Sequence, residues 1–246
     1  MIESGALDVT IVIPAFNEAN RLPRTLTALT SWIATRPEQF EVIVVDDGSA
    51  DGTSAIADNF PTITFSVLPY NQGKGAAVRH GMLLAAGDLI LMMDADLATP
   101  LSEFDLLKES ITTGADIAIG SRPLQTSTLS VRQPLLRELA GRLFNFIVRS
   151  VSGLPFQDTQ CGFKLWKSGS AKESFTRCVI KGFAFDVECL VVAKALGYKI
   201  SEVGVEWAHQ PGAAAFGSAA SYFRHAIRMI VDTIAIRWNH KATKRV

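Results

Sequence analysis

Two aspartates one residue apart, Asp94 and Asp96, directly follow the apolar run Leu89-Ile90-Leu91-Met92-Met93. In an extended chain residues i and i+2 project to the same side, so the two carboxylates can converge on one object. A divalent cation, Mg²⁺ or Mn²⁺, suits them: a pair of carboxylates leaves coordination positions open for water and for substrate phosphates, the usual way such hard cations are held. Taken in isolation, the same residues could merely end a strand and open a turn, with Ser102 capping the helix beyond.

Three further polar clusters share that placement after an apolar run: Asn17-Glu18, Asp46-Asp47-Gly48-Ser49 and Asn71-Gln72-Gly73-Lys74-Gly75. Glycines 48, 52, 73 and 75 would let backbone N–H groups approach phosphates closely. No Gly-x-Gly-x-x-Gly and no Gly-x-x-x-x-Gly-Lys-Ser/Thr follows any run, which argues against dinucleotide dehydrogenases and P-loop enzymes. A fifth dense polar segment, Gln157 to Lys164, reads as too polar for a strand interior and too rich in hydrogen-bonding groups for a simple turn.

The elements that must position these clusters follow from periodicity. Val9 to Pro14, Glu41 to Val45, Ile63 to Leu68, Leu89 to Met93 and Asp116 to Ser121 read as strands, without a polar face where both sides are covered. Helical periods separate them, at Leu22/Leu26/Leu29/Ile33, in a short helix through Ala57, over Ala76–Ala86 and over Ser102–Thr113. Alternation of this kind predicts a parallel sheet with right-handed crossovers, whose ligands gather outside the carboxyl ends of the strands. All four clusters should then lie on one rim.

With 246 residues, one domain is expected over 1–246, divided into a donor half (9–122), an acceptor half (123–210) and an amphipathic surface or membrane-facing helix (216–240). Lys+Arg and Asp+Glu balance at 24 each, so no global basic field favours nucleic acid. Three cysteines without Cys-x-x-Cys spacing, and no signal peptide before the first strand, predict a reducing, cytoplasmic setting. No apolar run is long enough to span a bilayer.

Pro123 to Gln133 reads as a mobile loop over the site, and Leu135 to Val151 as a helix accompanied by Arg132, Arg137, Arg142 and Arg149 against the single acid Glu138. That helix is either a solvated face packed on the body or a basic surface facing an anionic membrane. Phe183 to Leu196 is a helix closed by Gly197, and Glu202 to Trp207 a half-buried strand. The last helix puts Phe223, Ile227, Ile230, Ile234 and Trp238 on one stripe, which packs on the core or anchors at an interface.

Pro14-Ala15-Phe16-Asn17-Glu18, Val45 to Thr53, Asn71 to Gly75 and Asp94-Ala95-Asp96, in that order, resemble the family 2 glycosyltransferases of the GT-A fold. Gly120-Ser121-Arg122, Asp158 to Lys164, Phe185-Asp186-Val187-Glu188 and Val205-Glu206-Trp207 are similar to the dolichyl-phosphate β-glucosyltransferase branch, carrying the resemblance to about residue 207. It implies an α/β, Rossmann-like, mostly parallel sheet and inverting, metal-dependent transfer of a hexose, glucose from UDP-glucose, to a polyprenyl phosphate. Pro14, Ala15, Glu18 and Asp47 would hold the nucleoside, and Asp94 and Asp96 the ribose, metal and diphosphate; Asp46, Lys74 and Ala95 in the same clusters complete the donor set. Ala98 stands where the related mannosyltransferases usually carry Gln, which favours a glucosyl donor over GDP-mannose. Pro211-Gly212-Ala213-Ala214-Ala215 replaces the family's Gly-Ser-Lys, and no counterpart of the eukaryotic branch's N-terminal membrane helix appears. Membrane contact is therefore expected from the arginine helix, the last helix or a partner, with the protein peripheral on the cytoplasmic face.

A phosphate monoester has a second pKa of about 6, so a lipid phosphate is already a nucleophilic dianion at neutral pH. It needs positive charge, which Arg122 with Arg132 or Arg137 could supply. Asp158 either orients the acceptor or, if the acceptor is a hydroxyl, takes its proton as general base. A soluble enzyme glycosylating a small hydroxyl compound thus remains the other reading.

Overall fold

The computed structural model describes residues 7–124, 129–131, 147–208 and 219–241. Its elements in chain order are β1 Val9–Ala15, α1 Leu22–Ile33, β2 Phe40–Asp46, a 3₁₀ turn Thr53–Asn59, β3 Thr64–Val67, α2 Lys74–Leu84, β4 Leu89–Met93, a 3₁₀ turn Leu101–Glu103 and α3 Phe104–Thr112. They continue with β5 Ile117–Ser121, β6 Leu129–Val131, β7 Phe163–Lys167, α4 Ser168–Arg177, α5 Phe185–Ala195, β8 Ile200–Gly204, β9 Trp207–Ala208 and α6 Ala219–Lys241. Seven strands form one sheet in the order β3-β2-β1-β4-β7-β5-β8.

Every neighbouring pair in that sheet is parallel except those of β7, which runs antiparallel to both β4 and β5. The mostly parallel α/β architecture is as the sequence predicts. Alternate residues of each strand feed two cores. Ile11, Ile13, Val44 and Leu91 pack with Leu26 and Leu29 of α1 and Phe104 and Leu107 of α3. Val12, Val45, Met92 and Trp166 pack with Val78 of α2, Phe175 of α4, Leu190 of α5 and Ile236 of α6. Both faces are covered, which is why these strands carry no polar alternation.

β7 is the principal departure from the sequence reading. Lys164, at the end of the segment judged too polar for a strand, lies in the middle of the sheet opposite Met92 and Ile119 and is fully buried. The strand tolerates it because its ammonium group donates to Asp186 Oδ1 at 2.5 Å and to the Cys161 carbonyl at 2.6 Å. Elsewhere the shifts are smaller: the turn 101–103 is 3₁₀, no Ser102 side-chain cap forms, and residues 200–208 divide into β8 and β9. Leu129–Val131, in the segment read as a mobile loop, pairs parallel with β9. The helix read over 135–151 is helical at 147–152; its earlier part lies outside the described residues.

Candidate active site

The rim expected from the strand order is present. β1 and β2 end side by side, with Ala15 in register with Asp46, and their loops are stitched together. Asn17 N donates to Ser49 Oγ at 2.9 Å, Ala50 N to Asn17 Oδ1 at 3.0 Å, Glu18 N to Thr53 Oγ1 at 2.9 Å and Ala19 N to Asp51 Oδ2 at 3.0 Å. Asn17 adopts a positive φ of 55°, a conformation asparagine tolerates. Pro14, Ala15 and Ala95 contribute buried backbone: Ala15 O accepts from Asp47 N, and Ala95 O from Thr25 Oγ1.

The two aspartates of β2 diverge in use. Asp46 Oδ1 accepts from Ser49 N and Oγ, while its buried Oδ2 has no partner among the described residues. Asp47 is spent on the next loop, accepting from Gln72 N at 2.7 Å, Gly73 N at 2.8 Å and Asn71 Nδ2 at 3.0 Å. The glycines of that loop do not present free N–H groups to a phosphate. Gly75 N donates to Lys181 O at 2.8 Å, and a Cβ on Gly73 or Gly75 would collide with the backbone carbonyls of Lys181 or Ile180. Their smallness admits the 180–182 segment against the start of α2, correcting the expectation that they cradle phosphate. Glu188 Oε2 holds that segment by accepting from Val179 N and Ile180 N.

Lys74, at the first position of α2, reaches Asp94 Oδ1 at 2.6 Å. Asp94 follows the end of β4; its N–H donates to Gly162 O at 3.0 Å, and any side chain at 162 would overlap its carboxylate. A turn, not an extended strand, carries the chain on to Asp96. Asp96 Oδ1 accepts from Ala98 N across Leu97, which is held at a φ of 54°. A branched residue in that region costs about 1–2 kcal/mol, strain of the sort found where a side chain must be aimed. Burial first, then the Asp94 charge, pushes the Asp96 carboxyl above its usual range. Both carboxylates line an open pocket with Ala98, Gly162, Phe163 and Trp207.

Glu18 is chelated by Arg21, Nη2–Oε1 2.6 Å and Nε–Oε2 2.7 Å; burial nevertheless raises its carboxyl, with Asp96 and Asp51 adding to the effect. Arg21 Nη1 is buried without a partner among the described residues. Two carboxylates that repel each other beside an open pocket fit a divalent cation. Among the described residues no third His, Cys, Asp or Glu completes a cage, which leaves room for substrate oxygens.

Beyond β5 the arrangement differs. Asp158 is fully buried and accepts from Arg122 Nε at 2.6 Å, Arg122 Nη2 at 2.9 Å, Arg122 N at 3.2 Å and Gln160 N at 3.0 Å. Burial alone would raise its carboxyl; the Arg122 guanidinium outweighs that and holds it below the ordinary range. Glu202 Oε1 supports the unit, accepting from Asp158 N and Ser121 Oγ. Arg122 also stands over the Trp207 ring, 5.6 Å from its centroid. The structure thus brings Arg122 and Asp158 into one ion pair; Arg132 and Arg137 lie outside the described residues.

Sequence reasoning gave no chemical role to Lys164, Asp186, Gly162, Trp207 and Glu202, although all five stand in segments it singled out. Burial works against the Lys74 proton, and the Asp94 charge, then that of Asp186, outweigh it and hold the ammonium above the ordinary lysine range. Cations and carboxylates therefore alternate from Lys164 through Asp186, Lys74 and Asp94. The thiols take no part: all three cysteines are buried, and burial, then the Asp158 charge, pushes Cys161 up to about 11.

The chain belongs to glycosyl transferase family 2, whose model matches residues 10–175. It is a glycosyltransferase of the hexosyl-transferring kind. It is 36% identical to a dolichyl-phosphate β-glucosyltransferase of Trichomonas vaginalis, over 98% of this chain and 76% of that protein. With the dolichyl-phosphate β-glucosyltransferase of Homo sapiens it shares 32% identity, over 85% of this chain and 70% of the relative. Among solved structures, glucosyl-3-phosphoglycerate synthase from Mycobacterium tuberculosis, in complex with Mn²⁺ and UDP-glucose, superposes with a TM-score of 0.69 at 18% identity, covering 94% of this chain and 79% of the other. That likeness establishes the GT-A type of fold.

Proposed function

We propose that the protein transfers glucose from UDP-glucose to a dolichyl-type polyprenyl phosphate, with inversion and with a divalent cation, Mg²⁺ or Mn²⁺, held by Asp94 and Asp96. The relatives named for that transfer support the substrate class, because they resemble this chain over most of its length. The observation that carries the mechanism is the Arg122–Asp158 pair. With four hydrogen bonds on its carboxylate, Asp158 has no lone pair left for a hydroxyl proton, whereas the guanidinium it fixes retains Nη1 for an anion. An acceptor that is already a dianion needs such a cation and no base.

In this reading the donor lies across the rim of β1, β2 and β4, with Pro14, Ala15, Glu18, Asp46, Asp47 and Ala95 shaping the nucleoside end. Negative charge grows on the departing diphosphate as the glycosidic bond breaks; the cation, when bound, supplies Lewis-acid stabilisation there. Lys74 turns from Asp94 toward the same charge. Arg122, oriented by Asp158 and backed by Trp207, receives the acceptor phosphate on the opposite side of the sugar, with Arg132 and Arg137 as further cationic partners. The lipid acceptor places the enzyme at a membrane surface; free, buried cysteines support a reducing, cytoplasmic face. No described helix is long and apolar enough to cross a membrane.

The test is a panel of labelled nucleotide sugars offered with a polyprenyl phosphate, the product being extracted into organic solvent. UDP-glucose should label the lipid best. Equal or better labelling from GDP-mannose would move the donor assignment to mannose, and transfer to a small hydroxyl compound without lipid would replace the acceptor.

A further inference from the structure

Helix α6 is apolar on two opposite faces. Met229, Thr233 and Ile236, spaced i, i+4, i+7, are buried and pack toward α5. Ile227, Val231, Ile234 and Trp238, spaced i, i+4, i+7, i+11, are 47%, 56%, 44% and 77% exposed. At about 100° per residue these four fall within an arc of about 60°, nearly opposite the docked face. The stripe read from sequence is therefore not the one that docks; three of its members face outward. A helix that only covered α5 would carry polar residues there.

We infer that this outward stripe seats the protein on an anionic lipid bilayer, lying in the interface without crossing it. The inference rests on the lipid-phosphate reading above and deepens it. Charge selects the occupant. From residue 219 onward the sequence carries six Lys and Arg against Asp232 alone, whereas the rest of the chain is net acidic. Arg228, beside the stripe, is exposed and only 3.9 Å-paired with Asp232. Cationic charge flanking an apolar face complements anionic headgroups over acyl chains. A second copy docking by the same face would instead oppose like charges across a two-fold axis.

The inner face of the same helix reaches the acceptor side of the site. Gln160 Nε2 donates to Met229 Sδ at 2.9 Å, and Gln160 N is one of the donors on Asp158. Arg237 Nη1 donates to Val151 O at 2.8 Å, fastening the far end of the helix. With the stripe on the bilayer, α6 and Gln160 lie between the lipid and Asp158.

The test uses the full chain and sedimentation with vesicles of phosphatidylcholine, alone or mixed with phosphatidylglycerol, containing no polyprenyl phosphate. The wild type should bind the anionic vesicles and be weakened by salt. Ile234→Ser/Trp238→Ser should lose about tenfold or more in partitioning, and Arg228→Glu less. Leu106→Ser, which removes an exposed apolar side chain from α3, should bind as wild type. All variants should keep the wild-type melting temperature and the wild-type rate on a short, water-soluble prenyl phosphate without vesicles. Absence of vesicle binding, equal binding by the double variant, or a lipid-free dimer that the double variant makes monomeric would each overturn the inference. If vesicle binding depends on the stripe but no lipid phosphate is glucosylated, the acceptor reading alone falls; if lipid is glucosylated while the variants bind unchanged, the membrane seat alone falls.

Discussion

The same residue type does opposite work on the two sides of the site. On the proposed donor side, Asp94 and Asp96 lie within reach of each other's charge, Lys74 pairs with Asp94, and their pocket is open. Beyond β5, on the proposed acceptor side, Asp158 is consumed by the half-buried Arg122, and in the interior Asp186 is paired with the buried Lys164 while also acting on Lys74. The first arrangement leaves negative charge to be neutralised by something that arrives; the second uses negative charge to place positive charge. A carboxylate's role is set by how much of its hydrogen-bonding capacity the fold has already taken.

The contrast is broken most severely at Lys164. Lys164→Met leaves Asp186 buried without its partner, which should cost about 3–5 kcal/mol of stability. Lys164→Met/Asp186→Leu should recover most of that, since paired burial is often neutral against apolar isosteres. Chemical denaturation of the three proteins measures it. Burial alone would strip Lys164 of its proton, and the Asp186 carboxylate outweighs that and holds its pKa above the lysine value. The Lys164 contribution is complete below its unfolded pKa of about 10.4, but in Lys164→Met burial raises the orphaned Asp186 carboxyl further and lets it take up a proton, so the loss should be smaller at pH 6 than at pH 8.

Next in size is the donor side. Asp96→Ala removes a carboxylate that has capacity to spare, so the fold should survive while transfer falls by about 10²–10³-fold or more, the scale of a lost electrostatic stabiliser. Chelator should abolish the wild-type rate. Unchanged activity in chelator would remove the cation from the donor side and with it the contrast drawn above.

How legible this was from the sequence follows the same division. The donor half could be read because its parallel strands are apolar runs ending in polar clusters, and the rim rule places those clusters without tertiary knowledge. Strand β7 could not: Phe163–Lys167 carries a lysine whose burial depends on Asp186, twenty-two residues on. Helix α4, Ser168–Arg177, escaped because its sequence is largely polar with a weak apolar face. The meaning of Gly73 and Gly75 depends on the Ile180–Gly182 backbone, a contact that no local pattern announces. For α6 the periodicity was visible, but a helix apolar on two faces does not say which one docks. Arg122 and Asp158 were both singled out; their union in one pair is tertiary.

On the acceptor side the effect should be smaller. Arg122→Ala removes a charge-assisted contact to a phosphate, worth about 1.5–3 kcal/mol, or roughly ten- to a hundredfold in rate at fixed substrate. Asp158→Asn should cost less than Arg122→Ala, because the amide oxygen can still accept from the guanidinium and no proton has to be taken. Assays of both at saturating donor rank them; the reverse ranking would make Asp158 a base and the two sides of the site alike.

The finest distinction is in pH. Asp158 is held below the ordinary carboxylate range, so its contribution to stability is complete above its unfolded pKa of about 3.9 and is lost only as pH falls through the lower folded value. It stays ionised, and its contribution to stability stays constant, throughout an assay from pH 5 to 9. With a dianionic nucleophile, the rate should instead fall on the acid side as the acceptor's second ionisation, near pH 6, is reversed, and level off above about 7. The limb should therefore belong to the substrate: replacing the phosphate by a phosphonate, a weaker second acid, should move it to higher pH, while Asp158→Asn should leave it in place. A limb that ignored the phosphonate and shifted or vanished in Asp158→Asn would mean that a protein carboxylate takes a proton during transfer, and the acceptor would then have to be a hydroxyl.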